Sequence, residues 1–321
     1  MSARLTTPGV TDARAELETL SRATPDKLTT AAEAVRRLVP DDAVIGVGGT
    51  NHARTPMALL IEILRQGRSG LTMARPLSCI EAEFMLATDT AERIMTSWVG
   101  VGHGWGLAPV VRRLVEAGRP VFEEWSHLGI GLRYKAGAMG VPYLPTVSML
   151  GSDIDQKLDL AKVTCPYTGQ LLNAVPSLNP DVALIHVQRA DRQGNAQIDG
   201  YQLMDADLAL AARRVILTAE EIVDTEQFRS DPARTAIPGF AVDAVVHQPM
   251  GAYPHECYGH YEADLDEFTA YMQAVKSGGI DGARAYVATL TAYPDHDAFC
   301  AAIEPTRLSA LRRTAEEMLP R

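Results

Sequence analysis

The sequence predicts an α/β protein: an open, mostly parallel sheet with flanking helices, followed by a helical C-terminal part. Three observations carry this expectation. Short apolar, β-branched runs alternate with stretches of helical period through residues 27–147. The strand pattern returns at Val182–Val187 after a long polar excursion. From Leu265 onward the apolar period is that of helices.

The elements follow in order. Lys27 to Leu38 reads as a helix, and Ala43 to Val47 as a buried strand after the turn Pro40-Asp41-Asp42. Thr55 is placed to cap the next helix and Pro56 suits its first turn; Met57, Leu60, Ile61 and Leu64 share one face. Leu71–Ala74 is a strand, and Ser78 with Glu81 has capping-box spacing. Arg93–Val99 is strand-like, Gly100–Gly106 a flexible loop, and Leu107–Ala117 a helix closed by Gly118. A short strand near Val121 precedes a helix over 128–139 that Gly140 stops, and 143–147 is extended. Residues 148–180 read as a surface excursion. Asp205 is placed to cap a helix over 206–213, strands cover 215–218 and 242–246, and helices cover 265–276, 281–290, 296–303 and 306–318. With no internal repeat or linker, residues 27–321 form one expected domain, and 1–26 an extension outside its core.

Composition narrows the function classes. The chain has 321 residues, 46% hydrophobic and 22% charged, with a net charge of −10. Without a basic patch, nucleic acid is not an expected partner. No apolar run approaches the ~20 residues of a membrane span, and the N-terminus lacks the order of a signal peptide. Cys79, Cys165, Cys257 and Cys300 are scattered, with no C-x-x-C pair. A reduced, cytoplasmic protein without a metal is the economical expectation.

Residues 44–56 read VIGVGGTNHARTP. The glycines stand where a strand hands over to a helix, the crevice in which open α/β sheets bind ligands. Glycine lets backbone approach a ligand, free N–H groups near a helix start attract anions, and Arg54 adds a cation. An anion or oxyanion cradle is one reading; glycine serving only tight turn geometry is the other. The spacing is neither G-x-G-x-x-G nor a P-loop. Glu123-Glu124-Trp125-Ser126-His127 sets two carboxylates, a hydroxyl and an imidazole between a strand and a helix. Proton transfer is one use and helix capping the plainer one. His186 within its apolar strand reads as a satisfied core residue. His255 and His260 lack a third metal ligand.

Six stretches together resemble the alpha subunits of class I CoA-transferases, of the glutaconate CoA-transferase type. They are VGGTNHARTP with ALLIEILRQG; FEEWSHLGIGLRYKAGAMGVPYLP with LGSD; LIHVQRADRQGNAQ; VILTAEEIVDTEQFRSDP; IPGFAVDAVVHQPMGAYPHECYGHYEAD; and DHDAFCAAIEPTRL. They run in family order from about residue 27 to 313. The resemblance implies that coenzyme A, as an acyl-CoA substrate, is moved to a carboxylate through a glutamyl anhydride and an enzyme–CoA thioester. That glutamate would lie on a beta subunit, within a heterotetramer or hetero-octamer; this chain has no Glu-Asn-Gly or Glu-Ser-Gly of its own. The acyl donor would be a glutaconate-like dicarboxylic or oxo acid. By the same resemblance Gly49 and Asn51 belong to a catalytic oxyanion loop with Gly48 and Thr50. Arg54, Ser78, Glu124, Ser126 and His127 would contact substrate.

Two departures stand out. Thr50 replaces an aromatic residue usual in the family, and Tyr253 replaces the histidine of Gly-Ala-His-Pro. Some relatives decarboxylate an acyl-CoA, and others hydrolytically open a ring with an acidic residue near the position of His127. Membership of such a decarboxylase or hydrolase is the alternative reading. A third makes the chain a binding subunit without catalytic residues.

Overall fold

The computed structural model describes residues 10–19, 25–102 and 104–318. Its centre is a nine-stranded sheet. The parallel strands run in the order Leu28–Thr29, Ala244–His247, Arg214–Ile222, Val182–Ala190, Val44–Val47, Leu71–Ala74, Ala91–Thr96, Phe122–Glu124. Ala196–Gln197 pairs antiparallel with Val182–Ala190.

Strand periodicity divides the core into two layers, because successive side chains point to opposite faces. Val182 and Leu184 join Ile45 and Val47 in one layer; Ala183, Ile185 and Val187 join Val215 and Leu217 in the other. The first layer is covered by Ala31–Leu38, Met57–Arg65, Ile80–Ala87, Pro109–Glu116 and Leu265–Thr291. The second is covered by His127–Met139 and Asp205–Ala211.

From Val44–Val47 the chain moves outward through the strands at 71, 91 and 122, then returns at Val182 on the opposite flank. The carboxyl end of Val44–Val47 is therefore the topological switch point, where a crevice opens between diverging connections. The glycine loop occupies that position.

Several local readings change. The helix expected from Lys27 begins at Ala31, because Leu28 and Thr29 pair with Val245 and Val246 at the sheet edge. Within the stretch read as loop, Trp98–Gly102 pairs antiparallel with Gly106–Leu107, and Leu77–Ser78 pairs alongside. The 148–180 excursion contains the helix Asp153–Leu158 and the strands Lys162–Thr164 and Leu171–Pro176, which form an antiparallel sheet with the preceding Tyr143–Thr146. Within the expected N-terminal extension, Val10–Thr19 is a helix whose Glu16 pairs with Arg213 and Arg214; residues 1–9 and 20–24 lie outside the described residues. The expected division between 265–276 and 281–290 falls at Gly279 (φ 61°, ψ −138°), a kink within Leu265–Thr291.

Candidate active site

The loop leaves its strand at Gly48, whose N–H donates to Leu184 O at 2.9 Å. Gly49 has φ +67°, and a Cβ there would lie 2.2 Å from Ala53 O, so glycine is required. Its N–H donates to Asp205 Oδ1 at 2.9 Å. Thr50 N–H donates to Ala53 O (2.9 Å) and Asn51 N–H to Leu77 O (3.1 Å). The expected cradle of free backbone N–H groups at Gly48, Gly49, Thr50 and Asn51 is therefore corrected: all four donors are spent inside the protein. What remains is the Asn51 side chain, which lines the neighbouring cleft and whose buried Oδ1 has no hydrogen-bond partner. Asn51 sits at φ +45°, a left-handed conformation that asparagine tolerates better than most residues.

Beneath the loop lies a dense polar brace. Arg54 is 2% exposed. Its Nη1 donates to Asp205 Oδ2 and to His186 O (3.1 Å), and its Nη2 to Tyr201 O (2.6 Å). The expectation that Arg54 meets a substrate carboxylate or phosphate is corrected, because its guanidinium is buried and engaged. Arg75 pairs with Glu81 and donates to Thr55 Oγ1 at 2.8 Å. The Asn51 carbonyl accepts from Thr55 Oγ1 (3.3 Å) and from His255 Nδ1 (3.0 Å). The same Nδ1 lies 2.9 Å from Thr55 Oγ1. Burial, with the Arg75 charge adding to it, holds the His255 pKa well below the usual histidine range. His255 Nε2 is left without a hydrogen-bond partner, 3.8 Å from Glu81 Oε2.

The cleft beside the loop has a volume of about 740 Å³ and is lined by Asn51, Leu77, Ser97, Trp98, Gly102, Gly106, Leu107, Trp125, Ser126, His127 and Ile154. Ser126 caps the helix His127–Met139, its Oγ accepting from Gly129 N at 2.9 Å. His127 is exposed, and its Nδ1 lies 3.4 Å from Ser97 Oγ. Trp125 forms a wall fixed from behind. Arg133 sits 4.4 Å over its ring, and the indole Nε1 donates to Glu123 Oε1 at 2.8 Å.

Asn51, Ser126 and His127 thus share one cleft, while other expected contacts do not reach it. Ser78 is fully buried with its Oγ donating to Thr96 Oγ1 at 3.3 Å; its neighbour Leu77 faces the cleft instead. Glu124 lines a separate depression with Glu123, Arg93, Arg119 and Lys157. Gly49 and Thr50 border a narrow crevice behind the cleft with His127 and Met204. Ser97, Trp98 and Leu107 line the cleft without having been marked by sequence pattern. An aromatic residue beside a glycine-rich turn was the available signal.

His186 is a satisfied core residue, as expected. Its Nδ1 and Nε2 lie 2.8 Å from Thr218 Oγ1 and Glu220 Oε1. Glu220 also accepts from Tyr261 OH (2.7 Å) and Met250 N (2.9 Å). With Cys257 these two form a group of metal-type donors, but the imidazole and carboxylate are already engaged by protein partners. Tyr253 fills its position as a buried residue whose hydroxyl donates to Asp264 Oδ2 at 2.7 Å.

Known proteins share this framework. The sequence model of the family described as Coenzyme A transferase matches residues 28–248. The chain belongs to the coenzyme A transferase family. It is 36% identical to the alpha-type chain of 3-oxoadipate CoA-transferase from Pseudomonas knackmussii over 76% of this chain and 87% of that one. The crystal structure of glutaconate coenzyme A-transferase from Acidaminococcus fermentans superimposes with a TM-score of 0.85 at 30% identity, over 89% of this chain and 95% of that chain. An uncharacterized protein of Archaeoglobus fulgidus is 40% identical over 83% of this chain, which spans 59% of that relative's length. The resemblance is to alpha subunits, and the mostly parallel sheet with a helical C-terminal region is the fold of these transferases.

Proposed function

We propose that this chain forms the acyl-binding half of a two-subunit CoA-transferase whose nucleophilic glutamate comes from a beta subunit. The observation that carries this reading is the lining of the cleft. It opens at the switch point and offers an amide, two hydroxyls and an imidazole, but among the described residues no carboxylate lines it. In the proposed reaction the partner's carboxylate attacks the thioester carbonyl, expelling CoA thiolate and leaving an acyl-glutamyl anhydride. The thiolate then attacks the glutamyl carbonyl, releasing the acid and forming an enzyme–CoA thioester for the second acid to resolve. Each addition builds an oxyanion. With the loop's backbone donors spent, the Asn51 side-chain amide is the proposed donor to it. Arg54, Asp205, Arg75, Thr55 and His255 act by holding Asn51 in place.

The acyl donor is proposed to be an oxo or dicarboxylic acid, and the assembly a heterotetramer or hetero-octamer. No described helix is long and apolar enough to cross a membrane. The cytoplasm, where the free Cys79, Cys165, Cys257 and Cys300 stay reduced, is the proposed compartment.

A second reading rests on His127 and Ser97. His127 faces the cleft, where a ring-opening hydrolase would need a group to hold a water, while Ser97 donates its hydroxyl proton to Pro76 O and offers only its oxygen; a decarboxylase would likewise need no partner glutamate. One experiment separates these readings. The chain is co-expressed with its beta partner, and the complex is supplied with glutaconyl-CoA or a 3-oxoacyl-CoA together with acetate. Acetyl-CoA, together with a partner glutamate trapped by hydroxylamine or borohydride, supports the transferase. A hydrated or CO2-depleted product without acetyl-CoA overturns it in favour of the second reading.

A further inference from the structure

The equipment of the cleft speaks to the kind of acyl group it admits. Among the described residues its lining contains no lysine or arginine. The arginines nearest the loop and the wall are committed elsewhere: Arg54 to Asp205, Arg75 to Glu81, and Arg133 to Glu123 and the back face of Trp125. His127 is the one basic side chain among the described lining residues, and it is shared with Ser97. A free carboxylate at the far end of an acyl chain would meet no fixed cation among these residues, whereas an apolar end would cover the apolar wall.

The apolar side is built to a definite shape. Leu77 pairs in register with Trp98, and Leu107 with Gly100. A Cβ on Gly100 would come within 2.6 Å of Trp98 Cζ2, so the indole packs directly over Gly100. Trp98 is 37% exposed and Leu107 67% exposed, each presenting apolar surface at the cleft. Trp125 and Ile154 close the other side.

We propose that the acyl group recognised by this cleft has an uncharged, apolar distal end, best filled by an aromatic or alicyclic ring, with its polar atoms confined to the thioester end. This rests on the acyl-CoA reading above. It selects, from the acids considered there, those without a second carboxylate.

The test separates recognition from chemistry. Two unreactive thioethers, S-(3-phenylpropyl)-CoA and S-(4-carboxybutyl)-CoA, are titrated calorimetrically into the assembled two-subunit complex. They share the CoA portion and differ at the distal end. The phenyl compound is expected to bind at least tenfold more tightly, and Leu107→Arg, which sets a guanidinium at the cleft rim, is expected to close most of that gap. Equal affinities, or a preference for the carboxylate in the unmodified complex, would overturn the proposal. In parallel, kcat/KM is measured for 3-phenylpropionyl-CoA and glutaryl-CoA with acetate as acceptor. A tenfold preference for the phenyl substrate supports both readings. A binding preference with no CoA transfer to acetate rejects transferase chemistry while leaving the substrate class supported.

Discussion

The underside of the glycine loop and the cleft above it are built from opposite materials. Underneath, Arg54 with Asp205 and Arg75 with Glu81 are buried ion pairs, and Thr55 and His255 bind the Asn51 carbonyl. Above, Trp98, Leu107, Trp125 and Ile154 are interrupted, among the described residues, only by the polar side chains of Asn51, Ser97, Ser126 and His127. The residues that look most reactive in a sequence are therefore the scaffold, and the reacting surface is sparse. Charged groups in a low-dielectric interior are worth their desolvation only when geometry is tight. Here that geometry fixes one backbone segment at a left-handed residue.

The comparison breaks most severely at Asp205. Asp205→Ala strands the Arg54 guanidinium in the core and removes the acceptor of Gly49 N–H, and it should cost about 3–5 kcal/mol in urea unfolding. Replacing both partners, as Arg54→Met with Asp205→Leu, should recover much of that stability but not the activity. A loss under about 1 kcal/mol for Asp205→Ala would show that the pair does not brace the loop.

On the cleft side, Asn51→Gly keeps the left-handed backbone and removes the amide. A fall in kcat of about 10²–10³ is expected, with KM and melting temperature little changed. A full-rate variant would remove Asn51 from the chemistry.

Glu81 and Glu83 sharpen the contrast within the underside itself, since they share the helix Ile80–Ala87 and are both buried. Glu81 faces Arg75, whereas Glu83 is held by neutral donors, Val110 N (2.6 Å) and Tyr271 OH (2.9 Å). Burial pushes the Glu83 pKa up from 4.5 to about 7, although those donors pull it down. A raised carboxyl favours the protonated form in the folded chain. Its contribution to stability is then complete below pH 4.5 and is lost as pH rises to about 7, a change of about 3 kcal/mol. Glu83→Gln should flatten the profile of stability between about pH 5 and 8. An unchanged slope would assign that pH dependence to other groups.

Much of this was legible locally. The strand ending in glycines, the helix after it and the break at Gly279 follow from short-range pattern. What misled was equally local. Thr55, Ser78 with Glu81, and Asp205 each stand just before an apolar helical run and read as caps. In the fold, Thr55 and Asp205 serve the glycine loop, and Ser78 is drawn to Thr96. Glu81 accepts the N–H of Cys79 (2.8 Å), not that of Ser78 as the expected box requires, while also pairing with Arg75. Asp205 meets Gly49 across 156 positions of chain, a distance no spacing rule spans. Whether a backbone N–H faces a ligand or a carbonyl likewise depends on neighbouring segments, and for this loop those segments supply the acceptors.

Ser126 gives the smallest expected effect. Its sequence position suits both a cap and a reactive hydroxyl, and the structure makes it the cap of His127–Met139 with its Oγ also 3.2 Å from Ser148 Oγ. Ser126→Ala should cost about 1 kcal/mol of stability through the uncapped Gly129 N–H. Ser126→Asp restores an acceptor at the helix start, where negative charge is favoured, and should return the stability. It also adds charge to a wall proposed to recognise apolar acyl groups. If capping is the whole role of the hydroxyl, Ser126→Ala should retain kcat while Ser126→Asp raises KM for an apolar acyl-CoA. A collapse of kcat in Ser126→Ala would instead place the hydroxyl in the reaction and shift the boundary between scaffold and reacting surface by one residue.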